Sequence, residues 1–116
     1  MNINLTENLI KKKTDSLLLV EVPFCFPDGD HYQIYIKIMS NGTIRVSDMG
    51  HTLMRLSYEN DIKHIKEGIK GIRFNQIKTE MSIKDNNVEL YIDSQINELA
   101  INILKLGQAI TKIYDL

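Results

Sequence analysis

The clearest alternation of apolar and polar residues lies in the first half of the chain. Between His31 and Met39 every second residue is a tyrosine or an isoleucine, and the residues between them are mostly polar. This alternation predicts a half-buried β-strand. Asn41-Gly42 then favours a tight two-residue hairpin, with Thr43–Ser47 as the returning strand. An apolar run over residues 16–25 predicts a buried strand before this hairpin, and Asp28-Gly29-Asp30 provides the turn between them.

A second hairpin is predicted further along the chain. Apolar residues alternate from Ile77 to Ile83, and Asp85-Asn86-Asn87 follows with turn chemistry. Val88–Ile92 then alternates again as the returning strand.

Capping residues and helical spacing predict three helices before the second hairpin. The first follows Asn4 and runs from about Leu5 to Lys13, and the second opens at Asp48 as its N-cap and continues through Leu56. The third begins after Asp61, and its predicted buried stripe consists of isoleucines at helical spacing: Ile62, Ile65, Ile69 and Ile72.

The last helix is predicted from Gln95 to about Tyr114. It carries a strict heptad of apolar residues: Ile96, Leu99, Ile103, Leu106, Ile110 and Ile113. Isoleucine and leucine in such a repeat are compatible with a two-stranded coiled coil, and hence with a homodimer through this helix. Ala100, Ile101 and Leu104 widen the stripe, which favours packing on a sheet instead.

The predicted order is helix, three strands, two helices, two strands and helix. Sequential antiparallel hairpins combined with amphipathic helices predict an α+β domain, in which an antiparallel sheet has helices packed on one face. The length of 116 residues fits one domain, residues 1–116.

From the composition we expect a soluble, intracellular protein. Apolar residues make up 43% of the chain and charged residues 25%, which is typical of folded soluble proteins. We find no transmembrane run and no leader sequence, and the single Cys25 cannot form an internal disulfide, so we expect a cytoplasmic protein. Cys25 ends an apolar strand and is predicted to be a small buried hydrophobe, not a nucleophile.

Two loops could carry chemistry. Asp28, Asp30 and His31 precede the central strand, and Ser47, Asp48 and His51 follow its partner, so the hairpin brings the two groups to the same end of the sheet. Carboxylates and imidazoles could bind a transition metal or act as acid and base. No established metal-ligand spacing or nucleotide-binding motif is present, so turn and capping roles are favoured, and neither catalysis nor a cofactor is expected.

Charge is segregated along the chain. Residues 62–84 carry six bases and two acids, whereas residues 21–61 carry six acids and three bases. The acids of the second segment predict a surface for a basic partner: Glu21, Asp28, Asp30, Asp48, Glu59 and Asp61. The bases at helical spacing predict a second surface, one helix edge that could meet phosphates or an acidic protein: Lys63, Lys66, Lys70 and Arg73.

Three stretches of the chain resemble a known family. They are Phe24–Ile36, with its polar turn entering an "IQIY-K"-like strand; Arg45–Leu53, with a "LSDDG-T"-like junction between strand and helix; and the close of the chain from Gln108 to Leu116. The sequence is similar to the bacterial and prophage domain of unknown function numbered 1828. Where those relatives often have two successive acids, this chain has Asp48-Met49. The resemblance implies a small protein carried on mobile elements, often an inhibitor of host defence or an accessory regulator.

Three functions are compatible with these observations. The first is a non-catalytic binding protein of phage or mobile-element origin that inhibits a bacterial defence effector, such as a CRISPR nuclease, through the acidic surface. The second is a nucleic-acid-binding accessory protein that uses the basic helix edge. The third is a metal-dependent hydrolase or nuclease that uses Asp30, His31, Asp48 and His51.

Overall fold

The computed structural model describes residues 10–59 and 66–116. In this part of the chain, six strands form one antiparallel sheet in the order β1-β2-β3-β4-β6-β5. The strands are β1 (Ile10–Thr14), β2 (Leu17–Cys25), β3 (His31–Ile38), β4 (Ile44–Ser47), β5 (Lys84–Asp85) and β6 (Leu90–Ser94). The α-helices are α1 (His51–Glu59), α2 (Gly68–Met81) and α3 (Leu99–Tyr114), and a short 3-10 turn, Ile96–Glu98, leads into α3. The predicted α+β class is confirmed.

The core lies between one face of the sheet and the helices. Ile34 and Ile36 of β3 are buried, as are Val46 of β4 and Ile92 of β6. Ile36 pairs with Val46, which pairs with Ile92, so these side chains form a row across three strands on the same face. The helices supply the other half of the core with Leu53, Leu56, Phe74, Ile77, Ile103, Leu106, Ile110 and Ile113. Alternation along the strands therefore leaves the opposite face open, as predicted for helices on one side.

The prediction of an N-terminal helix is wrong for its last residues. Residues 10–14 form the edge strand β1, which pairs with β2 through Ile10 opposite Val20. The helix-forming tendency of three successive lysines is overridden because the chain turns back at Asp15-Ser16 and pairs with an apolar strand. Lysines are also common on exposed edge strands, where they oppose pairing with other molecules. The proposed cap at Asn4 lies outside the described residues.

The chain after residue 66 differs most from prediction. α2 continues to Met81, so the strand predicted over Ile77–Ile83 is wrong, and the two-residue β5 begins only after it. The inward face of α2 consists of Gly71, Phe74 and Ile77, spaced by three residues. Ile69 and Ile72 are instead 82% and 59% exposed, so these two residues do not belong to a buried stripe. Asp61, Ile62 and Ile65 lie outside the described residues.

The last helix agrees with prediction and packs in the core. Ile103, Leu106, Ile110 and Ile113 are almost completely buried against the sheet and the other helices. Leu99 is partly buried against the same core, so five of the six heptad positions pack within the chain, whereas Ile96 on the 3-10 turn is 74% exposed. Core packing is the confirmed role of this helix. None of the helices in the described ranges is long and apolar enough to cross a membrane.

Candidate functional site

An open cleft lies between the β2–β3 loop, the neighbouring strand ends and α1. We call it the α1 cleft; its volume is about 500 Å³, and its lining residues are Glu21, Phe26, Asp30, His31, Gln33, His51, Met54 and Arg55. Glu21 and Gln33 are paired across β2 and β3, and His51 begins α1. The cleft therefore lies at the end of the sheet where the sequence predicted that the two Asp- and His-containing loops would meet.

Asp48 fixes the position of α1 at this cleft. Its side chain is 1% exposed and accepts hydrogen bonds from the backbone N–H groups of Gly50 (2.8 Å), Thr52 (3.2 Å) and Leu90 (2.9 Å). Burial raises the pKa of this carboxyl above its ordinary value, although these hydrogen bonds oppose the shift. The predicted capping by Asp48 is confirmed, although α1 begins at His51 and Gly50 is the residue at the N-cap position. The same carboxylate also ties α1 to β6 across 42 residues of sequence.

Arg55 holds the β2–β3 loop against α1. Its guanidinium donates to the carboxylate of Asp28 and, at 3.3 Å, to that of Asp30, and it lies 4.0 Å from the ring centroid of Phe26. The bond from the Asp30 backbone N–H lowers the pKa of Asp28, and Arg55 lowers it further. The sequence predictions did not include Arg55, because nothing in its local pattern relates it to a loop about 25 residues earlier.

The structure brings together three of the four residues proposed for metal or acid–base chemistry. Asp30, His31 and His51 line the α1 cleft, and the ring of His51 meets Tyr35 edge-on with centroids 6.0 Å apart. Asp48 lies beneath the start of α1 with its carboxylate directed to backbone N–H groups. Within residues 10–59 and 66–116, no group of three or more histidine, cysteine or acidic side chains is arranged to hold a metal ion.

Cys25 does not occupy the buried position predicted for it. It is exposed at the end of β2, where its Sγ lies 3.6 Å from Nδ1 of His31, its partner on β3. The same ring nitrogen lies 3.2 Å from the carbonyl oxygen of Val22. The strand pairing is irregular between Glu21 and Cys25, and this irregularity interrupts the alternation from which burial was predicted.

The predicted acidic surface is only partly assembled. Glu21 and Asp30 line the α1 cleft, and Asp28, 53% exposed, is joined to it through Arg55. Asp48 does not contribute because it is buried. Asp61 and the side chain of Glu59 lie outside the described residues.

An apolar rim borders the cleft on α1. Met54 is 47% exposed and Tyr58 is 80% exposed, and they are four residues apart on the helix surface. Methionine and tyrosine are enriched in protein interfaces. A helical-face analysis of residues 51–58 could have found this rim, since Leu53 and Leu56 already define the buried side.

The basic helix edge is divided by the fold. Lys66 donates to Asp85 (3.3 Å) and Asn87 (3.1 Å) in the turn before β6, so its ammonium is anchored. Lys70 and Arg73 are exposed on α2, where Arg73 donates to Gln76 at 2.9 Å. Lys63 lies outside the described residues.

A charge network on the open sheet face was also missed by the sequence predictions. Glu89 is 8% exposed and accepts from Ser47, from Lys37 at 2.9 Å and from Asn86 at 3.1 Å, with Arg45 at 3.5 Å. Burial alone would raise the pKa of Glu89, but the donors, led by Ser47 and Lys37, lower it below the ordinary value. This network links β3, β4 and the β5–β6 turn.

Comparison with known proteins agrees with the resemblance noted from the sequence. A family model described as "Domain of unknown function DUF1828" matches residues 22–113, a span that includes the lining of the α1 cleft except Glu21. No curated protein and no solved structure matches the chain. Because the match covers far more than half of its residues, the chain belongs to the DUF1828 family of domains of unknown function.

Proposed function

We propose that this protein is a non-catalytic binding protein that recognises a protein partner through the α1 cleft. The observation that carries the proposal is the exposed pair Met54 and Tyr58 beside an open cleft lined by carboxylates. Protein interfaces typically have an apolar or aromatic centre and a polar rim, and the polar rim fixes the orientation of the partner. The position of Asp48 favours this function over hydrolysis, because its carboxylate is committed to backbone N–H groups.

The chemistry of the cleft favours a basic side chain from the partner. Among the described residues around it, the carboxylates of Glu21, Asp28 and Asp30 outnumber the single guanidinium of Arg55. The carboxylate of Asp30 accepts from Arg55 at 3.3 Å but is 71% exposed, so a second cation can approach it from solvent. An arginine or lysine of the partner would enter here while its neighbours contact Met54 and Tyr58.

The more specific form of the proposal is inhibition of a bacterial defence effector by a protein of phage or mobile-element origin. Effectors that bind nucleic acid carry clusters of cations for phosphate groups. Carboxylates at the α1 cleft would compete with phosphates for those cations by charge complementarity. Its support is the charge of the cleft and the type of protein implied by the family resemblance.

The first experiment compares three forms of the protein as bait in a bacterial lysate, with and without nuclease. They are the wild type, a Met54→Ser/Tyr58→Ser variant, and an Ile101→Ser control that changes an exposed residue of α3. We expect a protein that survives nuclease treatment, is retained by the control and is lost with the cleft variant. Recovery that is equal for all three baits, or that disappears with nuclease, would contradict the proposal.

Quantitative binding to the purified partner follows. Removal of the two rim side chains should weaken Kd about thirtyfold to a thousandfold, since interface anchors contribute roughly 1–2 kcal/mol each. Asp30→Asn should weaken binding and reduce its dependence on salt, because a screened charge pair is removed.

A separate assay tests the more specific proposal of inhibition. Cleavage or nucleic-acid binding by the partner should decrease in proportion to the fraction of partner that is bound. A partner whose activity is unaffected would contradict inhibition but not binding.

A further inference from the structure

Two isoleucines on α2 are exposed without a local reason. Ile69 and Ile72 are 82% and 59% exposed, although the same helix buries Phe74 and Ile77 almost completely. β-Branched residues are weaker helix formers than the lysine or glutamate usual on a solvent face. Neither helix propensity nor the core of the described residues therefore explains their presence.

The isoleucines share this surface with cations. Ile69, Ile72 and Arg73 lie on one side of the helix at spacings of three and four residues, and Lys70 lies beside them. We call these four residues the α2 ridge. A shallow groove of about 500 Å³ continues along the helix past Ile72, lined also by Asn75, Gln76, Thr79 and Glu80. Lys70 and Arg73 are the exposed cations of this surface, whereas Lys66 and Lys78 pair with Asp85 and Lys84 pairs with Asp93.

We infer that the α2 ridge docks an acidic amphipathic segment of a protein partner. Its apolar side chains would cover Ile69 and Ile72, and its carboxylates would pair with Lys70 and Arg73. This surface is on a different helix from the α1 cleft and does not depend on the function proposed for that cleft.

The same residues favour a protein over a nucleic acid. The ammonium of Lys66 is held by Asp85 and Asn87, which leaves fewer cations free for phosphates than the sequence suggested. Phe74, the aromatic residue of this helix, is 1% exposed and cannot stack on a base. Exposed isoleucines add nothing to a phosphate contact but contribute strongly to an apolar one.

The experiment selects from a displayed library of random peptides on the full-length protein. We expect enrichment of peptides that combine acidic and large apolar residues. The enrichment should be lost on an Ile69→Ser/Ile72→Ser variant and retained on Ile101→Ser and on the cleft variant Met54→Ser/Tyr58→Ser. Enrichment that is absent, or that is identical on all variants, would overturn the inference.

A peptide from this selection is then synthesised and titrated by fluorescence anisotropy. Serine at both isoleucines should weaken its Kd about tenfold or more, given the apolar area removed. Lys70→Glu/Arg73→Glu should reverse the preference toward basic peptides. A fluorescent RNA oligonucleotide serves as the competing probe, and ridge-dependent RNA binding with no peptide binding would overturn the inference.

Stability measurements distinguish docking from a structural role. Both ridge variants should keep the unfolding midpoint of the wild type, because exposed side chains contribute little to folding. A clearly lower midpoint for Ile69→Ser/Ile72→Ser would mean that the chain itself covers these residues, which would also overturn the inference.

Discussion

At the scale of single residues, Asp48 joins local and long-range structure. Its carboxylate caps the first turn of α1 through Gly50 and Thr52 and also accepts the N–H of Leu90 at the start of β6. The cap could be predicted from an Asp that follows a short strand. The bond to Leu90 could not, because it depends on β4 and β6 being neighbours in the sheet.

Removal of this carboxylate should destabilise the protein strongly. Asp48→Ala leaves three backbone donors without their acceptor, and we expect the free energy of unfolding to fall by about 3 kcal/mol. Asp48→Asn keeps one acceptor oxygen and removes a buried charge, so its cost should be about 1 kcal/mol. Chemical denaturation measures both, with Asp115→Ala at the exposed end of α3 as the control. Equal stability of Asp48→Ala and the wild type would show that the cap is dispensable.

Met49 follows in a strained backbone conformation. Its φ is +54°, and Gly50 after it has φ +82° with a hypothetical Cβ only 3.0 Å from the carbonyl oxygen of Val88. Left-handed φ values are unfavourable for most side chains, but asparagine and aspartate tolerate them better. The turn between β4 and α1 therefore requires glycine at position 50 and is strained by methionine at position 49.

Relief of this strain should stabilise the fold. We expect Met49→Asn to raise the free energy of unfolding by about 0.5–1 kcal/mol, and Met49→Val, with a branched Cβ, to lower it by about 1 kcal/mol. Thermal unfolding of the two variants beside the wild type provides the measurement. The opposite order would mean that apolar contacts of Met49 outweigh its backbone strain.

At the scale of elements, α3 lies unusually close to β2. A Cβ placed on Gly107 would meet the ring of Phe24 at 2.7 and 2.8 Å. Phe24 in turn stacks on Tyr32, whose hydroxyl is 2.8 Å from that of Thr111, one turn further along α3. The missing side chain of glycine thus allows the helix and an aromatic cluster at the sheet to make contact.

A methyl group at this position should separate the two elements. Gly107→Ala improves helix propensity by about 1 kcal/mol, but displacement of the Phe24 ring should cost more, with a net loss of about 1–2 kcal/mol. A Phe24→Leu background should recover part of this loss, because the obstructing ring is absent. Gln108→Ala, on the exposed side of the same helix, is the matched control and should be neutral or slightly stabilising.

At the scale of the whole molecule, the charge network on the open face connects strands that are distant in sequence. Glu89 meets Lys37 and Ser47, while Arg45 bonds Asp93 at 3.0 Å and stacks 3.9 Å from the ring centroid of Tyr91. The core covers only the other face of the sheet. On the open face, polar side-chain contacts therefore connect neighbouring strands.

The network predicts a specific dependence of stability on pH. Because the pKa of Glu89 in the folded protein is below its ordinary value of 4.5, its contribution is complete above that pH and is lost as the pH falls through the folded pKa. Glu89→Gln should lower the free energy of unfolding by about 2 kcal/mol near pH 7. The difference in stability between Glu89→Gln and the wild type should narrow as the pH falls below 4.5, and it should vanish below the folded pKa of Glu89. Asp48, whose pKa is raised, acts in the opposite direction, since its buried charge is least favourable above its folded pKa.

Urea unfolding from pH 7 to pH 3 provides the measurement, with the exposed Glu98→Gln as the control. A gap that stays constant across this range would show that packing of the Glu89 side chain, and not its charge, stabilises the sheet.

The sequence by itself determined the elements whose signals are local. Alternation and Asn41-Gly42 define the β3–β4 hairpin, although its loop is closed between Met39 and Thr43 and is longer than the predicted two residues. Asp48 defines the start of α1, and a wide apolar stripe defines α3. Each depends on residues within a few positions along the chain, where backbone preference and side-chain period act directly. The α+β class follows from their order, and the proximity of Asp30, His31 and His51 follows from the hairpin.

Tertiary structure decided the rest. β1 is a strand because β2 offers it a partner, and α2 continues through an alternating sequence because Phe74 and Ile77 face the core. The α1 cleft exists because Arg55 binds a loop 25 to 27 residues earlier, and the open face depends on Glu89 meeting Lys37 across 52 residues. Such pairs produce no periodic pattern of residues in the sequence, because contacts between distant residues depend on how the sheet and the helices pack together.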